Sequence, residues 1–368
     1  ADGNRLFMYW EGYQWCFRAE ETGYDGTARF EKEGAPLAVR RRNGEVLVLE
    51  HGGRTFTNMC RWLSEARDIV AESCLRCVDY GADAVQIEVV GGESHSCYAR
   101  SHGHPVPTGP WQFQCLRGTF ERVRSEGRKR NPDFVLTMEE PNELCIPFLD
   151  GYHARDYKVV TWPVRGIGAE GCPLFAYVYH QYHLGFAGWG DFSACRQYGT
   201  GQLLAYARSL VYGKMLADRW ARLAPEDKPE LDFLRDAANL LANAREYLLF
   251  GEMLRPMKVD TGELEVVLNV RNPRTRKVTQ YLWRTPKVLH AAYRAADGSI
   301  GCVYVNIAQK PLAFSTEIHD AKLGARRCTI LRGPPGSSQV VADGITLPHQ
   351  INLKLAPRQI LFLQVRPD

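Results

Sequence analysis

Up to about residue 255 the chain alternates short, almost wholly apolar runs with longer stretches of helical periodicity, and this alternation constrains the fold most. "LFMYW" (6–10), "ADAVQIEVV" (82–90), "FVLTMEE" (134–140), "YKVVTW" (157–162), "LFAYVYH" (174–180) and "SLVYG" (209–213) read as strands. The stretches 58–79, 112–128, 197–208 and 229–247 read as helices. A strand without a polar side must be covered on both faces, so this pattern predicts a parallel sheet flanked by helices. Within it, 27–55 reads as an inserted β-hairpin turning at Asn43-Gly44, residues that accept the positive φ of a tight turn.

Beyond about 258 the pattern changes. "ELEVVLN", "KVTQYLW", "KVLHAAYRA", "IGCVYVNIA", "LAFSTEIH", "RCTILRG", "INLKLAP" and "QILFLQV" are short strands separated by Gly, Pro and Asn turns, as in an antiparallel sandwich. The expected organisation is a β/α domain over 1–256 followed by a β-sandwich over 257–368. Five or six β/α strands are visible rather than eight. An open nucleotide-binding sheet would carry a glycine-rich turn after its first strand, and "YWEGYQW" offers Gly12 alone. The α/β part is therefore read as a TIM-type (β/α)8 barrel whose N-terminal strands are missing from this chain. A preceding segment or a second chain is expected to complete it.

At 368 residues the chain has length for two or three domains, and its formal charge of +4 carries no nucleic-acid signal. The clusters "RRR" (40–42) and "RKR" (128–130) read as solvated faces, and no apolar run reaches membrane-spanning length. Eleven cysteines are scattered without a regular frame, which argues against a disulfide scaffold. Cys74 and Cys77 fall inside a helical pattern and read as core thiols. Nothing in the sequence decides the compartment.

Acidic and aromatic residues collect after the expected strands, at the end where barrel enzymes carry their chemistry. Trp10, Glu11, Tyr13 and Trp15 follow the first, Glu88 the second, and Glu139, Glu140 and Glu143 the third. Tyr179, His180, Tyr182, His183 and Trp189 follow "LFAYV". Sugar rings offer C–H faces to aromatic rings and hydroxyls to His, Glu and Asp, so the mixture suits a glycan cleft. Glycoside hydrolysis needs two carboxyls about 5–5.5 Å apart in retaining enzymes and about 6.5–9.5 Å in inverting ones. Glu88 and Glu140 sit at the ends of adjacent expected strands, roughly 5 Å apart in backbone, so their side chains could meet that need. Glu140 is preferred to Glu139 on the expectation that it shares the barrel-facing side of Phe134, Leu136 and Met138. The opposing reading makes the acidic residues helix caps and the aromatics filling for the barrel top.

The loop "HSCYARSHGHPVPTGPW" (95–111) holds His95, Cys97, His102 and His104. Such side chains can bind zinc, bond sugar hydroxyls or furnish a polar loop. Their spacing matches no standard zinc pattern, so the histidines are read as substrate-binding and no metal is expected.

"MCRWLSEA", "CYARSHGHPVPTGPW", "LTMEEPNELCIPFLDGY", "PLFAYVYHQYHLGFAGWG" and "YLLFGEMLRP" together resemble a largely uncharacterised family of bacterial barrel proteins grouped with glycoside hydrolases. The resemblance implies a (β/α)8 catalytic barrel with a C-terminal β-sandwich, polysaccharide degradation, and sequence ahead of the first strand seen here. Counted backwards from the sandwich, Glu88 ends strand four and Glu140 ends strand five. That arrangement is similar to α-amylase-like barrels, with the nucleophile after strand four, more often Asp than Glu, and the acid after strand five.

The expected activity is a glycosidase acting on an oligosaccharide or polysaccharide without a cofactor. Glu140 is the expected acid/base and Glu88 the nucleophile or base. Trp10 and Trp189 would stack on sugar rings, while His102, His104, Glu143, Tyr179 and His180 would bind substrate. The alternatives are a non-catalytic carbohydrate-binding barrel and a metal-dependent hydrolase using His95, Cys97, His102 and His104.

Overall fold

The computed structural model describes residues 3–88, 95–139, 141–153, 173–187, 200–216, 228–271 and 278–368. They fall into two compact units, Ala1–His153 and Ala154–Asp368. The chain is mixed α/β, with parallel strands and separate antiparallel sheets. No helix among the described residues is long and apolar enough to cross a membrane.

In the first unit, strands Phe7–Trp10, Ala84–Ile87, Val135–Met138 and Gly151–His153 lie side by side and parallel. Helices Ser64–Asp79 and Trp111–Arg130 connect them. Val85, Ile87, Leu136 and Met138 are fully buried, as expected for strands covered by helices. Cys74 and Cys77 are buried on the first helix. Its last turn and the next helix are tied by Arg130, whose Nη1 lies 2.8 Å from Asp79.

The insertion differs from the expected single hairpin. The expected turn at Asn43-Gly44 is present, with Gly44 at φ 86, Arg40 paired antiparallel with Val46 and the Leu47 amide donating to the Val39 carbonyl at 2.8 Å, but Thr27–Arg29 and Phe30–Gly34 are helical. The strands of this region are Gln14–Ala19, Tyr24–Asp25, Leu49–His51 and Arg54–Asn58, in one four-stranded antiparallel sheet. Its tight turn is Gly52-Gly53, both at positive φ, the conformation a two-residue hairpin requires.

In the second unit, a six-stranded antiparallel sheet runs Glu252–Leu254, Val288–Arg294, Ile300–Asn306, Ile360–Pro367, Cys328–Arg332, Gln339–Ile345. Side chains alternate across it. Val288, Ala292, Ile300, Cys302, Tyr304, Leu361 and Leu363 pack with Phe314, Ile318, Leu353 and Leu355 from the three-stranded sheet. Leu289, Ala291, Tyr293, Val303, Val305 and Phe362 share a core with residues of helices Thr200–Val211 and Lys228–Asn243. Ile300–Asn306 is buried throughout because both faces of its sheet are covered.

Two expected strands are helical. "LFAYVYH" is the helix Leu174–Tyr179 followed by a 3-10 turn, and the nearby strand is Leu184–Ala187. A short apolar run does not distinguish strand from helix by periodicity, and here Ala176 is buried while Leu174, Tyr177 and Val178 stand exposed. "SLVYG" is the end of helix Thr200–Val211, stopped by Gly213 at φ 62, and the strand is Met215–Leu216. "YKVVTW" lies outside the described residues.

Candidate active site

The parallel strands of the first unit are in register: Trp10 opposite Ile87, Ile87 opposite Met138, Met138 opposite Tyr152. Carried one residue past these pairs, the register sets Glu11, Glu88, Glu139 and His153 at one level. Neighbouring strands lie about 4.8 Å apart. Alternation puts Val85, Ile87, Leu136 and Met138 on one face and Gln86 and Thr137 on the other, with Glu88 joined to Gln86; Glu139 follows the last strand residue, Met138. The Gln86 amide donates to Glu88 Oε2 at 2.8 Å, and the Glu88 amide donates to the Trp10 carbonyl at 2.7 Å. Glu88 and Glu139 are both buried.

Leu136 and Met138 stand on the face of Val85 and Ile87, and Glu139 is buried one residue past the end of its strand. Glu140 lies outside the described residues, as does Trp189. Tyr9 pairs with Gln86 and so belongs to the polar face, whereas Trp10 pairs with Ile87. Burial first, then the charges of Glu88 and Glu11, push the Tyr9 phenol above its ordinary range, which keeps it a neutral donor. Glu11 accepts from Arg54 at 2.5 Å.

The other acids of "MEEPNELCIPFLDGY" have different work. Asn142 caps the 3-10 helix Glu143–Phe148 by accepting from the Leu144 amide at 3.0 Å, and Glu143 is the exposed first residue of that turn. Asp150 accepts from the Leu136 amide at 2.9 Å, from Arg124 at 2.8 Å and from Arg128 at 2.7 Å.

His102 and His104 sit in another cluster. With Cys60 and Cys97 they place one ligand atom each within 4.8 Å of one another, and all four residues are buried. The expected set contained His95; the fourth member of the cluster is Cys60. The donor types could hold a metal ion. Cys60 follows strand Arg54–Asn58, and its amide donates to the Leu37 carbonyl at 2.7 Å.

His180 is a core residue of the second unit. It is buried, its Nδ1 donates to the Gly251 carbonyl at 2.7 Å, and its ring packs on Tyr293. Burial, aided by the Lys214 charge, lowers its pKa to about 4; burial lowers His183 to about 3 and His290 to about 4. Tyr179 ends the helix, and its carbonyl accepts from His183 Nδ1 at 2.9 Å.

A folded pKa below the ordinary 6.5 means that the unfolded chain takes the proton first as pH falls. Stability is then full above pH 6.5 and declines toward pH 4. Each fully buried neutral imidazole contributes up to roughly 3 kcal/mol to that decline, and the partly exposed His290 contributes less. Thermal unfolding across this window is expected to show the loss, and His290→Gln should flatten it. A slope unchanged in His290→Gln would refute the contribution of His290.

The family profile described as "Domain of unknown function (DUF6259)" matches residues 1–190. No characterised protein matches by sequence. Among solved structures, a noncanonic maltogenic α-amylase, AmyB of Thermotoga neapolitana, aligns at TM-score 0.55 and 10% identity, covering 99% of this chain and 77% of that one. A cyclic α-maltosyl-(1→6)-maltose hydrolase of Arthrobacter globiformis aligns at TM-score 0.53 and 13% identity, covering 98% and 75%. A GH27 β-L-arabinopyranosidase of Geobacillus stearothermophilus aligns at TM-score 0.45 and 10% identity, covering 84% of this chain. The chain spans 64% of that enzyme's length.

Proposed function

From the premise that the chain belongs to the DUF6259 family, we propose that it is a glycoside hydrolase cleaving an oligosaccharide or polysaccharide. The observation that supports the reading is that Glu88 and Glu139 are both buried and follow directly on Ile87 and Met138, the paired last residues of adjacent parallel strands. Carboxyls on neighbouring strands are spaced for acid/base and nucleophilic work at one glycosidic bond. The fold likeness to a maltogenic α-amylase and to a cyclic maltosyl-maltose hydrolase supports the same substrate class.

In this reading Glu88 is nucleophile or base. The acid/base carboxyl comes from the Glu139-Glu140 dipeptide, and register favours Glu139. Gln86 orients Glu88, and Tyr9 supplies a neutral donor beside it. Residues 1–256 form a (β/α)8-type catalytic domain and 257–368 a β-sandwich. Trp10, Trp189, Glu143 and Tyr179 are retained as candidate sugar contacts. His102 and His104 are assigned to the cysteine cluster, and His180 to the core of the second unit.

The experiment is hydrolysis of a panel of aryl glycosides and α-linked oligosaccharides by the wild type and by Glu88→Gln. Turnover by the wild type and its loss in a folded variant support the proposal. Sugar binding by a folded wild type without turnover on any panel member would favour the carbohydrate-binding alternative.

A further inference from the structure

The cluster of Cys60, Cys97, His102 and His104 is organised at its second layer as well as its first. His102 Nε2 donates to the Pro36 carbonyl at 3.0 Å, which leaves Nδ1 as the lone-pair nitrogen, 3.5 Å from Cys97 Sγ. His104 Nδ1 donates to the Pro105 carbonyl at 2.9 Å, so Nε2 carries the lone pair. That Nε2 is buried without a hydrogen-bond partner among the described residues. In each ring one nitrogen is anchored to a backbone carbonyl and the other is free to bind, the arrangement that fixes a metal-ligating imidazole. A buried imidazole nitrogen without a partner is otherwise a cost of about 1–3 kcal/mol.

We propose that Cys60, Cys97, His102 and His104 form a closed tetrahedral zinc site with a structural role. Ligand bonds of about 2.0–2.3 Å separate tetrahedral donor atoms by roughly 3.3–3.8 Å. The 3.5 Å edge between Cys97 Sγ and His102 Nδ1 lies in that range, and the full set within 4.8 Å needs a small contraction. Two soft sulfurs and two imidazoles in a tetrahedron select zinc over calcium or magnesium. On binding, two S–H bonds break, two Zn–S bonds form, and two protons leave for solvent. Two thiolates then neutralise the ion, so a buried site carries no net charge.

The surroundings suit a structural ion. Cys60 and Cys97 belong to a core cluster with Val39, Ala99 and Trp111, and the His104 ring stacks on Trp111 at 4.4 Å. Four protein ligands leave no position for a reacting water, which separates this site from a metal-hydrolase centre. The ion would join the end of strand Arg54–Asn58 to the loop that follows the Glu88 strand, where the Tyr98 amide already donates to the Arg40 carbonyl at 2.9 Å. A cleft along Trp62, Arg67, His102 and Cys115 gives a route from solvent.

The test is metal content and cobalt(II) spectroscopy on the full chain, purified under reducing conditions with zinc supplied, independent of any glycosidase assay. One equivalent of zinc is expected, together with tetrahedral cobalt d–d bands and thiolate-to-cobalt charge transfer after exchange. Cys97→Ser and His104→Gln should each weaken zinc binding by more than the roughly 10–100-fold that loss of an outer-layer partner costs. His95→Gln should bind zinc as the wild type does. A folded, reduced wild type with no bound zinc would overturn the proposal. So would cobalt spectra without the thiolate band, or a Cys60–Cys97 disulfide in place of the ion. Should a cysteine variant fail to fold, the cobalt spectrum of the wild type decides alone.

Discussion

Glu88→Gln and Glu139→Gln are each expected to lower kcat by about 1,000-fold or more on the best substrate of the panel, with the folded state intact. Gln keeps the shape of Glu and removes its charge and its proton chemistry, so stability should move little. Glu140→Gln is the internal contrast. Both glutamates follow Met138, the last residue of its strand, and consecutive residues of an extended chain face opposite sides, so one of the two is expected to carry the chemistry. Activity lost at Glu139 and largely kept at Glu140 would fix the acid/base residue. The reverse result would return the role to Glu140. Backbones on adjacent strands lie about 4.8 Å apart, so a retained anomer is expected if the carboxyls keep that spacing, which leaves no room between them for an attacking water. NMR of the first-formed product reads this directly, and inversion would reject the close pair.

The general layout was legible because burial writes itself into composition. A strand covered on both faces is apolar almost throughout, as at Ile300–Asn306, and the eight short strands expected beyond 258 all occur. What failed was the choice between helix and strand for short apolar runs. Residues 174–180 satisfied the strand pattern by composition, yet the run follows Pro173 and winds into a helix. Its exposed Leu174, Tyr177 and Val178 depend on which neighbours pack there, and no local pattern records that.

The site shows the same division. That carboxylates would gather at the strand ends was visible in "EVV" and "MEEPNE". Which of two consecutive glutamates faces the other strand depends on register, a tertiary property. The loop 95–111 stood out by its histidines and Cys97, but they read as substrate-binding, and the neighbour that completes the cluster was not visible. Cys60 lies far upstream in sequence and reaches Cys97 because the insertion folds back, with Cys60 bound to Leu37 and Tyr98 to Arg40. His95 was closer in sequence and outside the cluster in space.

Asp150→Ala should destabilise the chain by about 3 kcal/mol without a specific effect on catalysis. The carboxylate bridges two elements. Oδ2 accepts from the Leu136 amide, while the Asp150 amide donates to the Leu136 carbonyl at 2.9 Å, so the side chain extends the ladder between strands Val135–Met138 and Gly151–His153. Oδ1 takes Arg124 and Arg128 from helix Trp111–Arg130. Truncation leaves a buried amide without an acceptor and two guanidinium groups without a counter-charge, one of them largely buried. Asp150→Asn retains an acceptor and loses the charge, so it should cost less, about 1–2 kcal/mol. Urea unfolding of the three proteins, with kcat measured well below each midpoint, separates the roles. Stability ordered wild type, Asn, Ala at constant kcat makes Asp150 a clamp; a fall in kcat at unchanged stability would place it in the reaction instead. One acidic stretch would then hold a catalytic carboxyl at Glu139 and a structural one at Asp150, distinguished by their partners and not by their residue type.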